Sequence, residues 1–198
     1  DGSIASSSGV EVASGATLAG HGTVSAISGA GTVNPGNSPG ILTAESVDGS
    51  AGLDFVFEFT AAPGSGISNP TYGNAAASGN DVLRLTGDTP FVLALTTDNT
   101  ITVDFTGLSL QMEDRLRGGF FVEEGDFLTQ IENAHFQYLG LGEYAVLLST
   151  VNVTADFGSG NVNGYVMEFT VVPEPGTWAM MLGSAALLLG LRRFRRVA

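Results

Sequence analysis

The first 52 residues contain eleven Gly and no Phe, Tyr or Trp, which constrains the fold more than any other feature of the chain. Such a segment cannot build a compact aromatic core. It does repeat: Gly20-His21-Gly22-Thr23-Val24 recurs nine residues later as Gly29-Ala30-Gly31-Thr32-Val33, and apolar pairs such as Ala26-Ile27 and Ile41-Leu42 stand between Gly and Ser turns. Very short strands at that density do not make a conventional sheet alone, but stacked as rungs of a solenoid each pairs with a neighbour above and below. Glycine permits the tight corners this needs. The stretch Asn34-Pro35-Gly36-Asn37-Ser38-Pro39-Gly40 holds two Pro-Gly steps, each suited to a type II turn in which Pro presets φ and Gly takes φ above zero. The competing reading is a flexible Gly/Ser linker, which gives the recurrence no reason to exist.

Residues 53–172 carry eleven of the twelve Phe and show explicit period-two alternation. Leu53, Phe55, Phe57 and Phe59 fall on one face with Asp54 and Glu58 on the other, and Ile101, Val103 and Phe105 alternate with Thr102, Asp104 and Thr106. Further strands are predicted at Val82 to Leu85, Phe91 to Leu95, Gly119 to Val122, His135 to Leu139, Ala145 to Val153 and Tyr165 to Val171. A short helix is predicted after Asp126 as N-cap, with Phe127, Leu128 and Ile131 as its apolar patch. Between Ala61 and Gly79 the Ala, Gly, Ser, Asn and Pro residues around Tyr72 read as a long loop.

Composition removes several classes of chemistry. With no Cys there is no disulfide framework, thiolate nucleophile or cysteine zinc site, and with no Lys there is neither a Schiff-base lysine nor a phosphate-loop lysine. Two His cannot supply a three-His metal site. Residues 1–172 hold three Arg against nineteen acids, a net charge of −16, so a nucleic-acid partner is not expected. Residues 173–198 reverse the sign, with four Arg against one Glu, a net +3. The chain opens on Asp1 without Met or a leader, as expected for a mature form or a fragment.

Candidate catalytic groups are few. Glu123-Glu124-Gly125-Asp126 gathers three carboxylates around one Gly, but it lacks calcium-loop spacing and reads as a solvated acidic turn, so no metal or cofactor is expected. His135 follows Glu132 by three residues, yet no Gly-x-Ser-x-Gly elbow accompanies it, and His21 reads as a surface residue in a Gly-rich turn. No catalytic residue is assigned.

The tail is the most specific part of the sequence. Pro173-Glu174-Pro175 is followed by Trp178 to Leu191, fourteen residues without a charge, and then by Arg192-Arg193-Phe194-Arg195-Arg196. Fourteen helical residues span about 21 Å, short of the roughly 20 residues that cross a typical bilayer core. Length alone would permit a buried core helix, but Trp178 suits one interface and the four Arg suit the cytoplasmic side, so a short membrane-spanning segment is predicted.

The order Pro-Glu-Pro, apolar helix, Arg cluster is similar to the PEP-CTERM sorting signal of exosortase-processed proteins of Gram-negative, exopolysaccharide-making bacteria. The resemblance covers residues 173–198. It implies that Pro173, Glu174 and Pro175 are the sorting motif and that Trp178, Leu182, Leu187, Leu188, Leu189 and Leu191 belong to a transient anchor. Arg192, Arg193, Arg195 and Arg196 would form the cytoplasmic stop. The implied partners are exosortase, a membrane-embedded cysteine protease, and the inner membrane. A permanent tail anchor fits the apolar run but gives the Pro-Glu-Pro motif no role. The stretch from Gly15 to Thr43 resembles the autotransporter-associated β-strand repeat, whose members form right-handed parallel β-helices. Ser78-Gly79-Asn80-Asp81-Val82-Leu83 and Gly118-Gly119-Phe120-Phe121 resemble segments that follow such repeats in PEP-CTERM proteins.

The expected fold is all-β: a right-handed parallel β-helix or, alternatively, a short β-helix followed by a β-sandwich, with one C-terminal transmembrane helix. The expected parts are a Gly-rich repeat region at 1–52, an aromatic-rich β domain or β-helix continuation at 53–172, and the sorting signal at 173–198. The expected function is that of a non-catalytic structural protein of the cell surface or extracellular matrix, associated with exopolysaccharide and biofilm and held in the inner membrane as a precursor. Two alternatives stand beside it. A polysaccharide-binding adhesin would use exposed aromatics such as Tyr72, Tyr138, Tyr144 or Tyr165, and a β-helical glycan-cleaving enzyme would need a carboxylate pair in a long groove.

Overall fold

In the computed structural model the described residues are 2–36, 40–60, 79–87, 98–123, 125, 127–132, 134–157, 160–174 and 176. Among them, strands β1 (Gly2–Ile4), β2 (Val10–Val12), β3 (Thr17–Gly20), β4 (Gly22–Val24), β5 (Ile27–Gly29), β6 (Thr32–Pro35) and β7 (Ile41–Ala44) come from the Gly-rich region. The aromatic region supplies β8 (Asp54–Glu58), β9 (Val82–Leu85), β10 (Thr100–Asp104), β11 (Arg115–Val122), helix α1 (Leu128–Ile131), β12 (His135–Leu139), β13 (Tyr144–Asp156) and β14 (Asn161–Pro173). The fold of the described residues is all-β, with almost no helix beside α1. α1 is N-capped by Phe127 without a side-chain hydrogen bond, one residue beyond the expected Asp126, which lies outside the described residues. The predicted strand Phe91 to Leu95 and the loop 61–78 also lie outside them.

The strands form three sheets, ordered β1-β4-β7-β9-β11-β14-β13, β12-β10-β8-β6-β3, and β2-β5. The third is lengthened by a parallel bridge from Ile27 to Val47. The chain visits the sheets in a fixed cycle: β1, β2, β3; then β4, β5, β6; then β7, Val47, β8; then β9 and β10; then β11, α1 and β12. Every strand ladder between successive circuits is parallel, with isolated antiparallel bridges at Gly20–Gly36 and Phe59–Asn80. Both large sheets run across the compositional break at residue 52, since β6 pairs β8 and β7 pairs β9. The pattern ends in an antiparallel hairpin, where β14 pairs β11 on one side and β13 on the other.

The recurrence of Gly-x-Gly-Thr-Val does not mark the stacking period. Its two copies open β4 and β6, which lie in different sheets of the same circuit, while stacked partners such as Gly2 and Gly22, or Gly22 and Leu42, are twenty residues apart. The glycines serve corners and close approaches instead. Gly29 has φ +118°, and a Cβ there would strike the Val12 backbone. Gly36, bridged to Gly20 just past the end of β6, takes the expected positive φ, +92°. Gly40 does not: its constraint is crowding, because a Cβ there would meet Gly36 Cα at 2.5 Å and His21 Nδ1 at 3.1 Å.

Period-two alternation places Leu53, Phe55, Phe57, Phe59, Ile101, Val103 and Phe105 wholly inside. They join Val33, Leu42, Leu83, Phe120 and Phe169 in one continuous core. Phe120 packs edge-on against Phe55 and Phe57 at centroid distances of 4.9 and 5.1 Å. Phe59 does the same with Phe169 at 5.5 Å. Gly118 lets the Phe59 ring approach, since a Cβ there would lie 2.8 Å from Phe59 Cζ. Although the β11–β14 register shifts between Gly118 and Phe121, alternation along β11 persists: Leu116, Phe120 and Val122 face the main core, while Phe121 joins Val82, Val153, Ala155 and Val166 in a second cluster. Among the described residues no helix is long and apolar enough to cross a membrane. The predicted span Trp178–Leu191 lies outside them.

Candidate functional site

The residues singled out by the sequence meet the folded body at the end of β14. Pro173 is the last residue of that strand and lies opposite Tyr144 of β13. β14 parts from β11 at Thr170, its last partner there being Arg115, so Pro173 has only β13 beside it and its missing N–H costs the ladder little. Just before it Val171 is buried, and its backbone is held from the segment preceding β11: Glu113 N–H donates to Val171 O at 3.0 Å and Val171 N–H donates to Asp114 O at 2.9 Å. Glu113 adopts φ 71°, a left-handed conformation that a non-Gly residue takes at some cost, and Asp114 Oδ2 fastens the same turn by accepting Gln111 N–H at 2.6 Å. Glu174 is exposed. Pro175, the apolar run and the four terminal Arg lie outside the described residues. The strand therefore delivers the Pro-Glu dipeptide directly from the core to the surface, with no intervening linker.

Among the described residues the acids do not gather into a metal-binding group. Glu123 is bound by Arg84, whose Nε donates at 2.7 Å and whose guanidinium lies 4.3 Å from the Phe157 ring centroid. Glu168 is held by Arg117 at 2.8 Å and, more distantly, by Arg115 at 3.7 Å. Thus all three Arg of residues 1–172 lie beside carboxylates of the seven-stranded sheet. Among the described residues no group of three or more His, Asp or Glu side chains is placed to hold a metal ion. Glu124 and Asp126 of the acidic turn lie outside them. His135 opens β12 and is exposed, with its backbone N–H donated to Asn99 O at 2.9 Å, while Glu132 caps α1; His21 is exposed.

The tyrosines are not a free aromatic platform. Tyr138, Tyr144 and Tyr165 are half-buried and packed on the main core, and Tyr72 lies outside the described residues. Tyr138 stacks on Phe136 at 5.8 Å, and burial pushes its hydroxyl up to about 12.

Sequence reasoning did not foresee the polar groups at the corners. Asp81 is buried, its Oδ1 accepting Gly40 N–H at 2.7 Å and its Oδ2 accepting Glu58 N–H at 2.8 Å. Desolvation raises its carboxyl to about 6, outweighing the two amides that favour the charged form. Neighbouring Asn80 accepts Thr60 N–H at 3.1 Å and donates to Arg117 O at 2.8 Å. Asn99, fully buried, donates to Gly49 O at 2.8 Å and Leu53 O at 2.9 Å. These side chains replace missing backbone partners where the chain turns from sheet to sheet. The signal available was the Gly79-Asn80-Asp81 run directly before an apolar strand.

No family model, no curated protein and no solved structure matches this chain.

Proposed function

We propose that this chain is an exported, non-catalytic structural protein of the cell surface or extracellular matrix, built on a right-handed parallel β-helix and released from a transient inner-membrane anchor by exosortase cleavage at Pro173-Glu174-Pro175. The observation that carries the export reading is the junction: β14 ends on Pro173 and Glu174 is exposed, so the first two residues of the motif stand at the edge of the fold. Pro173 closes the β14 ladder and a second proline two residues on disfavours its continuation as strand or helix, which suits an extended segment offered to a protease at the membrane surface. The β-helix is supported by the fixed cycle through three sheets with parallel pairing, and its right hand by the general preference of parallel crossover connections. The structural role is supported by the use of the acids: Asp81, Glu123 and Glu168 are engaged in corners and ion pairs, not gathered in a cleft.

The reading is tested by localisation in an exosortase-bearing host. Pro173→Ala with Pro175→Ala should leave an uncut precursor held in the inner membrane, whereas the unaltered chain reaches the surface. Changing the four terminal Arg to Glu should disturb orientation and retention before cleavage. Surface delivery of both variants at the unaltered level would sink the reading.

A further inference from the structure

Only four residues, Glu174 to Thr177, separate the end of β14 from Trp178, where the apolar run begins. Fully extended, four residues reach about 14 Å. The residues on the other side of the motif are engaged in the fold. Pro173 lies opposite Tyr144 and Val172 opposite Ala145. Val171 is buried opposite Val146, and its N–H and carbonyl are both hydrogen-bonded to the Asp114 and Glu113 backbone directly before β11. Asp114 Oδ2 closes that turn on Gln111 N–H. β14 parts from β11 at Thr170, so Val171 to Pro173 are held by β13 and by this turn alone among the described residues.

We propose that the end of β14 is a latch on processing: exosortase acts on a frayed form of the chain, in which Val171 to Pro173 have left β13 and the Glu113–Asp114 turn. This inference rests on the export reading and adds to it what regulates the cut. A protease closes on several extended residues around the bond it cleaves, and a residue paired in a sheet is not available to it. The short stretch before Trp178 leaves no free spacer on the other side, so the N-terminal half of the protease's grip has to come from the strand. Cleavage then follows the population of the locally opened chain. Opening stops at Thr170, where β14 gains β11 as a second neighbour, so the body stays folded while its last three strand residues are released. The Glu113–Asp114 turn sets how often that happens, because it holds the one buried residue of the three.

The chain contains no native Cys, so one engineered pair gives one defined disulfide. Full-length precursor is oxidised, separated from the oxidant and joined in lipid vesicles with exosortase whose own cysteine is kept reduced, and cleavage is followed by intact mass. Ala145→Cys with Val172→Cys, directly opposite in the ladder and within disulfide range, should slow cleavage at least about tenfold, and reductant should restore it. Thr154→Cys with Asn163→Cys, near the other end of the same hairpin, should leave the rate unchanged when oxidised. Inserting Gly-Ser-Gly-Ser before Pro173 should make the locked chain cleavable again, since the motif then stands clear of the sheet. Asp114→Ala should raise the rate about fivefold, the factor that one ordinary hydrogen bond supplies. A chain locked at Ala145 and Val172 but cut at the unaltered rate would overturn the proposal and leave the export reading intact. So would equal slowing by both disulfides, or a locked chain that the insertion does not rescue. An unaltered chain that exosortase leaves whole would overturn the export reading, and this proposal with it.

Discussion

The carboxylate of Asp81 clamps the backbone of Gly40: its Oδ1 accepts the Gly40 N–H at 2.7 Å although the two residues are 41 positions apart. Oδ2 accepts Glu58 N–H at 2.8 Å, and the Asp81 carbonyl takes Gly119 N–H at 2.8 Å. One buried side chain therefore ties the start of β9 to both ends of the preceding circuit, and its backbone ties it to the next.

This clamp makes stability depend on pH in a definite direction. Burial raises the Asp81 carboxyl from 3.8 to about 6, so between those values the folded chain holds a proton that the unfolded chain has lost. The contribution of Asp81 is thus fully present below pH ~3.8 and declines as pH rises through ~6. Asp81→Ala leaves two buried amides without acceptors, which costs roughly 1–3 kcal/mol for each. We expect that destabilisation to be larger at pH 4 than at pH 7. Denaturant melts of both proteins across this range check it, and a destabilisation that grows with pH would contradict the assignment.

Gly36 and Gly40 should both resist substitution, for different reasons. At Gly36 a side chain meets φ +92° as well as Asp81 Oδ1 at 2.8 Å, whereas at Gly40 it meets only crowding from Gly36 and His21. Gly36→Ala is expected to cost about 2 kcal/mol or more, combining left-handed strain with overpacking. His21→Ala should partly rescue Gly40→Ala and leave Gly36→Ala unrescued. Thermal melts of the two double variants separate these cases; rescue of Gly36→Ala to the same extent would show that φ is not the limiting term there.

Much of this organisation was legible in the sequence, and the failures have physical causes. Period-two alternation identified the buried faces at Leu53 to Phe59 and Ile101 to Phe105, because a half-buried strand writes its burial directly into neighbouring residues. The nine-residue recurrence was legible as repetition but not as spacing, since its copies lie in two different sheets of one circuit and each stacks on partners of other circuits, Gly22 on Gly2 and Leu42, and Thr32 on Thr17 and Asp54. The positive φ expected of both Pro-Gly glycines is found at Gly36 and not at Gly40, where close packing, invisible in sequence, sets the requirement. The tyrosines looked like surface groups because aromatic residues near turns can be either packed or displayed. Glu168 carried no signal in the sequence, since its partner Arg117 is 51 residues away.

That ion pair gives a sharp energetic expectation. The side chains of Arg117 and Glu168 are 11% and 5% exposed, and the remaining Arg115 contact is at 3.7 Å. Arg117→Ala strands a buried carboxylate and should destabilise by about 3–5 kcal/mol. Arg117→Met combined with Glu168→Leu removes both charges and should recover most of that loss. If the double variant melts no higher than Arg117→Ala in urea, desolvation of Glu168 is not what the pair offsets.

β14 ends on Pro173, and the proposed function makes everything beyond the Pro-Glu-Pro motif a removable sorting tail. Intact-mass analysis of the protein recovered from the surface of an exosortase-bearing host tests it most directly. The account predicts a chain that terminates at or close to Pro175, lacking Trp178 through Ala198. A recovered mass that includes the tail through Ala198 would make the segment a permanent anchor and contradict the account.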